Sequence, residues 1–316
     1  MTTLQKGLAD SIDDTEIKAE LRTVAKKLIT HRIILAEILK ECVEEFGKYD
    51  IFFIMQNCLV GEIRMDGGSA KQDEYSTIVK SDIKDEPAGE EPVSFSLELD
   101  AVVPTTKKWI RVSINIEIQI DKEFSCSVAG KAVYSLARMI SSQKEMVFNH
   151  LEYENVDKVY SIWICPDLQC KNLNTVTEYG FERQRAFGPV KEPVENYDKM
   201  KAIIITLNDE GMQNMVDIIR FLSTLLSTTE RIEKRKRILE EEFHIPMTQE
   251  IEVEMSKLCD LVATAERVRE KKSFEMTTLQ CIINLMDTMD FSPKKAMDAL
   301  KISKEDQEKY AKRLAD

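Results

Sequence analysis

The stretch that most constrains this chain is WIRVSINIEIQ at 109–119, which alternates apolar and polar side chains from end to end. Val112, Ile114, Ile116 and Ile118 fall on one side, and Arg111, Ser113, Asn115, Glu117 and Gln119 on the other. A sustained period of two, rich in β-branched residues, predicts a strand with one face in an apolar core. A second strand-like run at 93–103 carries Glu98 and Asp100. Pro104-Thr105-Thr106-Lys107-Lys108 joins the two runs, and that length suits a hairpin. Carboxylates on adjacent strands are what a divalent cation needs, so this hairpin is the candidate centre of function.

Around it the apolar spacing alternates between helix and strand. Residues 24–46 repeat at three- and four-residue steps and predict an amphipathic helix ended by Gly47, with Glu37 as a solvated carboxylate on its face. A short apolar segment at 51–60 leads into 64–92, which is acidic, contains Gly67-Gly68, Pro87 and Pro92, and reads as a surface insertion. After the hairpin, 125–148 predicts a second helix, with Val128, Ala132, Leu136, Met139, Ile140 and Val147 forming its buried stripe. Lys131, Tyr134 and Arg138 share another of its faces. KVYSIWIC at 158–165 reads as a buried strand, and 175–179 and 201–206 as further strands.

From 209 onward the texture is helical, with expected helices at 212–226, 228–243, 248–271 and 274–289. Thr248 is a candidate N-cap, Ser292-Pro293 opens another helix, and Ser303 with Asp306 resembles a capping box. The fold class expected is α/β, a mixed sheet flanked by helices over 24–207, followed by an all-helical C-terminal region over 208–316.

Composition excludes several classes. A net charge of −12 opposes a protein that coats nucleic acid, yet it leaves room for a local basic groove beside an acidic metal site. No apolar run approaches the ~20 residues that cross a bilayer, so no membrane association is expected. The N-terminal residues are polar and acidic, unlike a signal peptide. Seven scattered cysteines suit a reducing cytoplasm. Cys165 and Cys170 lie close, but no second pair or histidine cluster follows, so zinc is not expected. His31, His150 and His244 are isolated, and no glycine-rich phosphate loop is present. RIEKRKR at 231–237, followed by three glutamates, reads as the cation-rich side of an exposed helix.

INIEIQ at 114–119, KAVYSLARMISSQ at 131–143, VDKVYSIWIC at 156–165, NTVTEYG at 174–180 and KRILEEEFHIPMTQEIE at 236–252 together resemble one family. This is the Rpn family of the PD-(D/E)xK nuclease superfamily, the bacterial recombination-promoting nuclease or transposase-like group. The resemblance runs from about residue 28 to the C-terminus and is weakest across 64–92. It implies a restriction-endonuclease-like core and Mg2+- or Mn2+-dependent hydrolysis of DNA by an activated water, with recombination or mobile elements as the setting. It implies that Glu117 holds the metal, that the backbone carbonyl of Ile118 assists, and that Gln119 stands where other members have lysine.

Family members place an aspartate where this chain has Ser96, so Asp100, with Glu98 beside it, becomes the expected second carboxylate. Lys131 stands where the family has arginine, and Ser135 where it has a second tyrosine. Lys131, Tyr134 and Arg138 are expected to approach DNA phosphates. The serine at 96 also raises an alternative: a catalytically inactive protein of nuclease fold that acts through its C-terminal helices on a protein partner or a second copy. The short helices around a turn at 277–314 offer a third expectation, a DNA-binding element.

Overall fold

The computed structural model describes residues 14–65, 78–79, 97–104, 109–118, 127–144, 147, 152–166, 174–184, 187–189, 191–208 and 216–315. Two compact units divide the chain: Lys18–Leu261, which holds the sheet, and Met1–Ile17 with Val262–Asp316.

The first unit is α/β. Helices α1 (Asp14–Thr30) and α2 (Arg32–Cys42) are followed by a short helical segment whose last part, Ile54–Cys58, is π-helical. The strands are β1 (Leu59–Met65), β2 (Ile78–Val79), β3 (Leu97–Pro104), β4 (Trp109–Ile118), β5 (Lys158–Pro166), β6 (Thr175–Gly180) and β7 (Met200–Leu207), with helix α3 (Val128–Ser142) between β4 and β5. They form one mixed seven-stranded sheet in the order β2-β1-β3-β4-β5-β7-β6. The pairs β1–β3, β3–β4 and β6–β7 are antiparallel, while β1–β2, β4–β5 and β5–β7 are parallel.

The alternation of 109–118 sets the core. Val112, Ile114, Ile116 and Ile118 are buried, and Leu97, Leu99, Ala101 and Val103 of β3 are buried beside them. In β5 every residue from Val159 to Cys165 is buried, as befits a parallel strand covered on both faces. Helix α3 covers one of those faces, seating Ala132, Leu136 and Met139 against Val159, Trp163, Cys165 and Ala202. Its ends are fixed by side chains. Ser127 Oγ accepts from the Gly130 N–H at 3.4 Å. The Gln143 amide donates to the Asp157 carbonyl at 3.1 Å and accepts from the Asp157 N–H at 2.8 Å.

Several helix expectations are corrected. The helix expected at 24–46 is two helices: residues 14–23 are helical too, and the chain breaks at His31, whose ψ is 123°. His31 there meets Glu254 at 3.1 Å. The second helix stops at Cys42, with Val43 extended, rather than at Gly47. Glu37 is buried, not solvated, because α2 is packed on nearly all sides. The helix expected at 125–148 spans Val128–Ser142, and residues 145–146 and 148–150 lie outside the described set. Residues 66–77 and 80–92 of the expected insertion and 93–96 of the expected strand also lie outside it, while Ile78 and Val79 pair with β1.

Helices α4 (Asp217–Leu226) and α5 (Ile232–Glu241) follow β7. The pair of helices expected at 248–271 and 274–289 is one continuous helix, α6 (Gln249–Met289), whose Thr248 Oγ1 accepts from the Ile251 N–H. The basic run of α5 is only partly exposed. Arg235 is 1 % exposed and donates to the carbonyls of Thr224 and Leu225 at the end of α4, and to Cys259 Sγ. Burial lowers its pKa from the ordinary arginine value. Lys234 and Lys236 pair with Glu230 and Glu252.

In the second unit, α7 (Pro293–Ala299) and α8 (Lys304–Ala315) surround a small core of Ile282, Ala296, Met297 and Tyr310. The expected caps form there: Ser292 Oγ accepts from Lys295 N–H, and Ser303 Oγ from Asp306 N–H.

Candidate functional site

The polar side of β3 and β4 is the sheet face that α3 partly covers, because Ser113, Asn115 and Glu117 stand opposite Val159, Ser161 and Trp163 of β5. Register places Glu98 directly across from Asn115, and Asp100 across from Ser113. Glu117, two residues beyond Asn115, is therefore the diagonal neighbour of Glu98, at a Cα separation of roughly 7–8 Å for such pairs. Asp100 stands four residues farther along, roughly 13 Å from Glu117 at the rise of a strand.

Asp100 is heavily engaged. One carboxylate oxygen accepts from Ser113 Oγ at 2.8 Å; the other accepts from Arg111 and lies 3.5 Å from Arg64 Nη2. The hydrogen bond to Asp100 is the main cause that raises the Arg111 pKa.

A bulge in β1 delivers Arg64. Val60 pairs with Asp100, yet Arg64, four residues on, pairs with Glu98, only two residues back, so β1 carries two extra residues over this interval. Arg64 Nη2 lies 3.6 Å from Glu98 Oε1. Its Nε is buried without a hydrogen-bond partner.

Arg64, Glu98, Asn115 and Ser161 thus form one row across four strands. Asn115 and Ser161 are both fully buried. Ser161 Oγ accepts from Trp163 Nε1 at 2.9 Å and from Asn115 Nδ2 at 3.4 Å. The other end of that amide, Asn115 Oδ1, has no hydrogen-bond partner among the described residues.

Of the residues expected from sequence, Glu98, Asp100 and Glu117 share one face of neighbouring strands. Ile118 ends β4 with its side chain buried. Gln119 and Ser96 lie outside the described residues. On α3, Lys131 and Arg138 are half-buried and Tyr134 is exposed. Cys165 is buried, whereas Cys170 and His150 lie outside the described set.

Sequence reasoning named Arg111, Ser113 and Asn115 only as the polar side of a strand and gave Arg64 and Ser161 no role. The INIE alternation does put Asn115 beside Glu117. The bulge that brings Arg64 opposite Glu98 has one signal in the residues, Gly61 inside the strand, and the sequence reading gave it no role.

The donor chemistry suits a hard cation in part: Glu98 and Glu117 offer carboxylate oxygens, and Mg2+ commonly uses one or two carboxylates and keeps its waters. Among the described residues, no group of three or more His, Cys, Asp and Glu is arranged to hold a metal. No family model matches the chain, and no curated protein or solved structure matches it either. Among the described residues, no helix is long and apolar enough to cross a membrane.

Proposed function

We propose that this chain is a divalent-metal-dependent DNA endonuclease of the PD-(D/E)xK type, with the ion held between Glu117 and Glu98. The observation that carries the reading is the β3–β4 register, which makes these two carboxylates diagonal neighbours on one sheet face. The element order supports it: a helix, three antiparallel strands β1, β3 and β4, a helix, and a strand parallel to β4.

When bound, Mg2+ or Mn2+ supplies Lewis acidity and a more acidic water. Glu117 and Glu98 hold the ion, the Ile118 carbonyl assists, and Gln119 orients the water or the scissile phosphate. Lys131, Tyr134 and Arg138 on α3 meet the DNA backbone. Asp100, bound to Ser113, Arg111 and Arg64, orders the guanidinium groups beside the site instead of gripping the ion.

The test is nicking of supercoiled plasmid with and without Mg2+ or Mn2+. Metal-dependent cutting that Glu117→Ala abolishes supports the reading, and cutting that survives Glu117→Ala refutes it.

One observation favours a second reading, a catalytically inactive protein of the same fold that works through contacts of its C-terminal helices. Asp100, the carboxylate expected to replace the aspartate missing at 96, is already neutralised by arginine. Under that reading, neither the wild type nor Glu117→Ala cuts DNA in any metal.

A further inference from the structure

We infer that Asn115 is a third oxygen donor to the cation, so that the site is made of two carboxylates and one amide. This rests on the proposed metal site and specifies how it is composed.

The starting point is a buried acceptor without a donor. A buried polar atom left unmatched costs about 1–3 kcal/mol, so native proteins seldom keep one without a use for it. Asn115 is fully buried, and its Oδ1 has no hydrogen-bond partner among the described residues. Its surroundings account for the other end of the amide. Trp163 Nε1 donates to Ser161 Oγ at 2.9 Å and anchors the hydroxyl, and Asn115 Nδ2 is turned to the same oxygen at 3.4 Å. With the nitrogen turned to Ser161 of β5, the oxygen is the end of the amide left for another partner.

Two of the residues that flank Asn115 on this sheet face are acidic. Glu98 stands directly opposite on β3, and Glu117 follows two residues along β4 on the same face. An ionised carboxylate has no proton to donate, so neither glutamate satisfies that oxygen. A cation reconciles the three. Asparagine carbonyls and carboxylates are ordinary donors to hard divalent ions. Arg64, 3.6 Å from Glu98 and 3.5 Å from Asp100, shares its charge between two acids and does not reach Asn115 in the row.

A structural role for the amide leads to a different arrangement. If Asn115 served only to hold the strands together, its orientation would be reversed, with Ser161 donating to Oδ1 and Nδ2 donating to a glutamate. The two arrangements respond oppositely to Asn115→Asp. A carboxylate at an ion adds charge to the ligand set and tightens binding. A carboxylate in place of a donating amide takes away the hydrogen bond that holds the glutamate and lowers the stability of the metal-free protein.

The experiment is titration of the full chain with Mn2+, read by the loss of the free-ion electron paramagnetic resonance signal and by thermal unfolding. Wild type, Glu117→Ala, Asn115→Ala and Asn115→Asp are compared. The inference expects Mn2+ binding by the wild type, its loss in Glu117→Ala, and weakening of at least about tenfold in Asn115→Ala. Asn115→Asp should bind at least as tightly as the wild type and gain more thermal stability from Mn2+. Should Asn115→Ala fail to fold, Asn115→Asp decides. Unchanged affinity in Asn115→Ala, or an Asn115→Asp protein that loses affinity together with stability, overturns the inference and leaves the metal site standing. Absence of Mn2+ binding by the wild type overturns both.

Discussion

Glu37 lies on α2 with 4 % of its surface exposed, and its carboxyl is pushed up to about 7, chiefly by burial, with Lys40 opposing and Glu41 and Asp217 adding to it. The unfolded chain releases this proton near 4.5, while the folded chain keeps it to about 7. Folding therefore becomes less favourable as pH rises from 4.5 to 7, and the whole cost is present above 7. Glu37→Gln should stabilise the protein at pH 8 by an amount on the order of 3 kcal/mol and change little at pH 4, read by urea unfolding at each pH. Asp100→Ala should cost about 1–2 kcal/mol by removing charge-assisted hydrogen bonds, and Mn2+ affinity should stay close to that of the wild type. Neither residue's situation is written in its neighbours. Glu37 occupies a helix position that looks solvent-facing by spacing alone, and it becomes buried because other helices close over it.

At the scale of elements, the alternation at 109–119 is legible because a period of two leaves one way to bury four β-branched residues, and Trp109–Ile118 forms the strand so predicted. The strands at 158–165 and 201–206 are legible for the same reason, since continuous apolar runs need cover on both faces. What was not legible depends on tertiary contacts. The break at His31 follows a polar residue that no propensity rule marks as a stop, and it is occupied by Glu254, 223 residues away. The continuous α6 hides its length behind Lys271, Lys272 and Ser273, which interrupt the apolar spacing without interrupting the helix. Arg235 is the sharpest instance: within a run of cations that suggests an exposed face, it points inward and closes the end of α4. Replacing it with methionine strands two carbonyls, and the unfolding free energy should fall by about 3 kcal/mol, seen as a lower urea midpoint at constant slope. Arg235→Lys should recover little of this, because one ammonium lacks the planar fork that meets two carbonyls and a sulfur.

For the molecule as a whole, the division into two compact units separates the candidate site from the C-terminal helices. In the second unit, Glu275 on α6 grips both Lys309 and Arg313 of α8, and Tyr310, 5 % exposed, fills the core between them. Tyr310→Ala should remove about 3 kcal/mol of local stability and sharply speed amide exchange over 293–315. Exchange in β3, β4 and β5, and Mn2+ binding, should remain as in the wild type. A result in which the sheet also loosens would mean that the two units fold as one.

The amide of Gln143 meets both backbone groups of Asp157 in the manner of an adjoining chain. The seat of α3 over Trp163 is therefore secured where 143 meets 157. One atom exchanged at 143, oxygen for nitrogen, sets an anion against the Asp157 carbonyl and unseats the helix.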